Sequence, residues 1–78
     1  MTTTDIRARA NQIAKVCERF GLTPDSISAG TYSPPTIVVK PRVFVNELAD
    51  VPCLMGLVDG AVVREAKVDS VRICAVSL

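Results

Sequence analysis

Apolar positions along this chain change their period from one stretch to the next, and each change marks an element. Ile6, Ala10, Ile13, Cys17 and Phe20 recur at spacings of four, three, four and three, with Ala14 widening the stripe. That is one face of a helix over residues 4–20. Thr2 with Asp5 three residues later, or Thr4 alone, supplies an N-cap, and Asp5 suits the positive end of the helix. Gly21 is a natural stop after the last turn. About two and a half heptads are too few to select a coiled coil, so the stripe is expected to lie on a sheet.

The period then shortens. Leu22-Thr23-Pro24-Asp25 reads as a turn, and Ser26–Tyr32 and Thr36–Lys40 read as strands joined at Ser33-Pro34-Pro35. Proline cannot supply the positive φ of a tight hairpin turn, so this loop should be wider than two residues and should sit at a strand end or an edge. Pro41 suits the first turn of a helix. Phe44, Leu48 and Val51 continue at spacings of four and three, which predicts a short helix over 42–50, stopped before Pro52. The β-branched run Val43-Phe44-Val45 also permits a continued strand. Cys53–Val58 is uniformly apolar and gives no period: loop, helical turn and extra strand all fit. Asp59-Gly60 turns the chain into its last segment.

Gly60–Leu78 reads as a hairpin about Asp69-Ser70. A two-residue turn pairs Val68 with Val71, Lys67 with Arg72, Ala66 with Ile73, Glu65 with Cys74, Arg64 with Ala75, Val63 with Val76 and Val62 with Ser77. Alternation then puts Val62, Ala66, Val68, Val71, Ile73 and Ala75 on one face, with Arg64 the exception. The other face holds Glu65, Lys67 and Arg72 near the turn, then Val63, Cys74, Val76 and Leu78. Lys67 and Arg72 oppose each other as like charges, and Glu65 lies diagonal to Arg72, where it offsets part of that repulsion. Asp-Ser is a poorer two-residue turn than Asp-Gly, and a longer turn would exchange the faces. The order helix, hairpin, helix, hairpin gives one α+β domain over residues 1–78, with a four-stranded antiparallel sheet and both helices on one face.

Composition narrows the function classes. The chain has 78 residues, nine basic and eight acidic, and 49% are apolar, yet its aromatics are only Phe20, Tyr32 and Phe44. So small a domain has limited interior, so some of this apolar surface should remain outside, where clustered residues mark partner sites. The charge balance argues against nucleic acid, and Tyr32 alone cannot form a stacking platform. Arg7, Arg9, Lys15 and Arg19 point in scattered directions around the helix and read as ordinary solvated residues. Cys17, Cys53 and Cys74 are odd in number and widely spaced, without a CxxC, and the chain has no histidine. A disulfide framework and a zinc site are therefore not expected, and buried thiols in a reducing cytoplasm are. No apolar run approaches membrane-spanning length, and MTTTDIRARA is not a signal peptide.

Catalysis finds little to work with. General acid–base and nucleophilic chemistry need a group poised near neutral pH and a partner to activate it. Histidine is missing, the serines lie in turns or strand ends, and Cys17 sits at the wrong end of its helix for thiolate activation. Gly21, Gly30, Gly56 and Gly60 match no nucleotide-binding spacing. Neither an enzyme nor a cofactor is expected.

Three surfaces remain. Tyr32 on the Ser33-Pro34-Pro35 frame is one: an interface anchor, or a loop held down by its own tyrosine. Glu47, Asp50 and Asp59 are the only charges between Val43 and Val63, and could meet a basic partner, imitate a phosphate row or, the favoured reading over mimicry, be solvated surface. The third is the outer hairpin face with Val63, Glu65, Lys67, Arg72, Cys74, Val76 and Leu78, unless Cys53–Val58 covers it.

The lone helix MTTTDIRARANQIAKVCERFG, the two hairpins and the missing chemistry together resemble the small stand-alone proteins that bacteriophages encode to block host machinery, anti-CRISPR proteins among them. The resemblance is one of size and layout and assigns no residue a role. It implies a non-enzymatic module that occupies the surface of a larger host protein or complex. The other expectations are a self-associating subunit forming a homodimer through its sheet and, disfavoured by charge, a nucleic-acid-binding accessory protein. No membrane partner is expected.

Overall fold

A computed structural model describes residues 3–28 and 34–77. Among them the chain forms α1 (Thr3–Phe20), β1 (Ser26–Ser28), β2 (Thr36–Val38), α2 (Pro41–Glu47), β3 (Leu54–Val58), β4 (Ala61–Val68) and β5 (Val71–Ser77). The class is α+β as the sequence predicts, but the sheet has five strands rather than four. Its order is β1-β2-β5-β4-β3, and it is mixed rather than antiparallel, because β2 and β5 run parallel.

The correction has a simple cause. Residues 54–58, which lack a period of their own, form β3 and pair antiparallel with β4. Two tight turns then make β3, β4 and β5 a meander, so β3 and β5 point the same way. α2 lies between β2 and β3 and carries the chain back to the end where β2 began. Strands joined by such a crossover run parallel, and β2 docks on the free edge of β5. The ladder extends past β2 at both ends: the Arg72 amide donates to Pro35 O at 2.8 Å and the Val39 amide donates to Cys74 O at 2.9 Å.

α1 ends as expected. Gly21 takes a φ of +67°, and the Leu22 amide reaches back to Cys17 O at 2.9 Å, a left-handed stop that closes the helix and turns Leu22 inward. Thr4 lies inside the helix rather than capping it, and Thr2 falls outside the described residues. The stripe is only half used. Ile13 and Val16 are buried, and Cys17 and Phe20 pack against the core. Ile6 is 53% exposed and Ala10 is also exposed. Eighteen helical residues span roughly 27 Å, and the first turns overhang the short strands beneath them. Val16, next to the stripe, joins the contact.

α2 is a helix, not a continued strand. Pro41 occupies its first turn, Phe44 and Leu48 are buried, and Val51 packs beside them. Both helices join Ile37, Val39, Ala66, Val71, Ile73 and Ala75 in one core cluster, so they share a face of the sheet.

The last hairpin has the register that its alternation predicts, from Val68 opposite Val71 to Val62 opposite Ser77. Asp69 and Ser70 adopt φ of 50° and 65°, so the two-residue turn forms despite lacking glycine. Arg19 at the end of α1 sits 3.4 Å from Asp69, an exposed pair across the rim.

Candidate functional site

The strand pairings settle which side chains share the face away from the helices. Val63, Glu65 and Lys67 alternate along β4, and Arg72, Cys74 and Val76 stand opposite them on β5. β3 extends this face by Leu54, Gly56 and Val58, the partners of Glu65, Val63 and Ala61. β2 and β1 complete it with Thr36 and Val38, then Ser26 and Ser28. The residues singled out on the outer hairpin face therefore do come together. Leu78 lies outside the described residues, as do Tyr32 and Ser33.

Cys53–Val58 does not cover this face; it lies in the plane of the sheet and widens it. The exposures follow. On the helix side Ile37, Val71, Ile73 and Ala75 are fully buried, while on the open side only Thr36 and Ala61 are buried among the described residues. Val63, Glu65, Arg72 and Cys74 are half-buried, Lys67 is exposed, and Val76 is 47% exposed.

β3 is the most exposed apolar element. Leu54, Met55, Leu57 and Val58 are 76, 67, 76 and 58% exposed. Leu54 and Val58 face the open side, whereas Met55 and Leu57 face the helix side beyond the reach of either helix. Both faces of the strand thus meet solvent. No periodicity could have revealed this, since a strand apolar on both sides reads like a buried one.

The face has a charged margin. Arg72 Nε lies 3.8 Å from Glu65 Oε1, and Nε is secluded without a hydrogen bond among the described residues. The Cys74 thiol is pushed above its usual range mainly by burial, with Arg72 opposing and Glu65 adding to the shift. Cys17 is raised by burial and by Glu18. Cys53 is exposed and Cys17 and Cys74 are half-buried, which corrects the expectation of buried cysteines and makes Cys53 the most accessible thiol.

The acidic set is dispersed. Glu47 is exposed at the end of α2, with its carboxylate beside Gly21. Asp50 follows α2, and Asp59 occupies the turn beyond β3, roughly five residues at 3.3 Å from where that strand begins. A shallow groove at the start of β3 is lined by Pro52, Cys53, Leu54, Glu65 and Lys67. It offers an apolar floor and one ion of each sign. Among the described residues no group of three or more His, Cys, Asp or Glu side chains could hold a metal ion, and no helix is long and apolar enough to cross a membrane.

No family model, no curated protein and no solved structure matches the chain.

Proposed function

We propose that this chain is a non-enzymatic protein-binding module that acts by occupying the surface of a larger protein or complex, in the manner implied by its resemblance to small phage-encoded inhibitors of host machinery. The observation that carries this reading is the open sheet face. An apolar centre of Leu54, Val58, Val63 and Val76 has Glu65, Lys67 and Arg72 along one margin. Apolar centres with polar rims are how binding patches are built, and exposed apolar residues clustered on so small a protein mark interaction sites. The mixed charges of the margin favour a protein over nucleic acid, which calls for a basic stripe. The separated thiols fit action in the cytoplasm.

The test uses the intact protein as bait. Wild type and Val76→Asp are immobilised side by side, and retained host proteins are compared by quantitative mass spectrometry. A protein retained by wild type and lost from a folded Val76→Asp bait supports the reading. Identical profiles count against it.

A further inference from the structure

We infer that β3 is a self-pairing edge: two copies of this chain join antiparallel along Leu54–Val58, about a two-fold axis at Gly56, and fuse their sheets into one. The backbone of β3 is directed for such pairing. The Asp59-Gly60 turn is closed by Val58 and Ala61, and the closing pair of a two-residue hairpin exchanges both of its hydrogen bonds. Alternation from that pair sends the N–H and C=O groups of Leu54, Gly56 and Val58 toward β4. Those of Met55 and Leu57 point outward, along the free edge. Water can solvate such a row, but it is also a ready template for another strand in register.

This edge also carries none of the usual safeguards. Edge strands are normally blunted by charge, proline, a bulge or shortness. β1, at the other edge, is three residues long and has Ser26 and Ser28. β3 is longer, has no charge and no proline, and its ladder with β4 is unbroken.

Self-complementarity of the strand selects a second copy as the occupant. A two-fold axis requires the strand to match itself. Centred on Gly56, it sets Leu54 against the partner's Val58, Met55 against the partner's Leu57, and Gly56 against Gly56. Each pair is apolar or glycine, so no like charges meet. Asp59 falls opposite the partner's Cys53 rather than opposite itself. Gly56 sits at the axis as a non-hydrogen-bonded pair, the closest approach in an antiparallel ladder. Pairing joins the two open faces into one continuous surface, and it clusters the exposed Met55 and Leu57 of both copies on the helix side. The inference rests on the edge, not on the open face, so it stands or falls separately from partner binding.

Three variants test it. Met55→Pro removes an N–H that points away from β4, so it blocks the edge and spares the internal ladder. Leu57→Lys adds the charge that natural edges use. Gly56→Cys, in a Cys53→Ser background, places thiols at the axis, where a non-hydrogen-bonded separation of about 4.5 Å falls within the roughly 4.4–6.8 Å that a disulfide spans. Among the described residues nothing lies within 4 Å of an added Cβ at Gly56. In light scattering, the wild-type mass should climb from 8.3 kDa toward twice that value with concentration. Met55→Pro and Leu57→Lys, each checked for fold by circular dichroism, should stay at the single-chain mass, and Gly56→Cys should cross-link under mild oxidation. A wild type that stays monomeric overturns the inference even if it retains a host protein. So does a dimer that survives in folded edge variants, or one in which Gly56→Cys fails to cross-link.

Discussion

Glu65 and Arg72 sit diagonally across the β4–β5 ladder, with Glu65 Oε1 3.8 Å from Arg72 Nε, while Lys67 stands directly opposite Arg72. The carboxylate offsets two cations that would otherwise face each other. Both side chains are more than a third exposed, so the pair contributes little by itself. Reversing its sign is another matter. Glu65→Lys gathers three cations on one patch and should lower stability by about 1 kcal/mol. The loss should be largest at low ionic strength and should shrink as salt screens it. Urea midpoints at two salt concentrations check this; a salt-independent loss would assign the effect to packing.

Two isoleucines on the same helical stripe should behave differently. Ile13 is buried and Ile6 is 53% exposed. Ile13→Ala should cost about 2–5 kcal/mol, a large share of the roughly 4–12 kcal/mol expected for a domain of this length. Ile6→Ala should change stability by no more than about 0.5 kcal/mol. Thermal midpoints of the two variants decide whether the first turns of α1 overhang the sheet, and equal losses would show that they do not.

Ser70 holds a φ of 65°, a region that costs a residue with a Cβ roughly 1–2 kcal/mol relative to glycine. Ser70→Gly should therefore stabilise the protein by up to about 1 kcal/mol, offset in part by the greater freedom of glycine in the unfolded chain. The urea midpoint should rise at constant slope. A fall would mean that the Ser70 side chain makes a contact worth more than the backbone strain.

The thiols should react in order of access. Cys53 is exposed, and burial raises the Cys17 and Cys74 thiols above their ordinary value of 9.0. A raised thiol keeps its proton longer in the folded than in the unfolded chain. Its contribution to stability is thus intact below pH 9.0 and declines as pH rises through the folded value. Alkylation near pH 8 followed by peptide mapping should label Cys53 first, and Cys17 and Cys74 should gain rate only as pH climbs. Labelling of Cys74 ahead of Cys53 would contradict the exposures.

The legible parts of this fold are those with a local cause. The register from Val62–Ser77 to Val68–Val71 follows from one turn and strict alternation, and the stop after Phe20 follows from Gly21. Residues 54–58 were illegible because an edge strand wetted on both faces has no polar side to set its phase. The parallel pairing of Ile37 with Ile73 joins residues far apart in sequence and leaves no local mark. The stripe on α1 shows which side faces the sheet but not where the sheet stops beneath it. Val16 and Leu22 could have been found: Val16 lies three residues after Ile13, and Leu22 follows the helix-ending glycine, where an apolar residue folds back onto the last turn. The open face was legible from the hairpin alone, but its widest apolar part, on β3, was not.

Ala75 and Val76 are neighbours on opposite faces, one fully buried and the other 47% exposed, so the same substitution at each tests most directly whether the open face lies outside the core and does the binding. Ala75→Asp forces a carboxylate into the core face, where only the half-buried Arg64 directly opposite can offset its desolvation, and should lower the thermal midpoint far more than Val76→Asp does. Val76→Asp should melt cooperatively near the wild-type midpoint and should fail to retain the host protein that wild type retains. A Val76→Asp protein that unfolds, or that folds and binds as wild type does, would contradict the account.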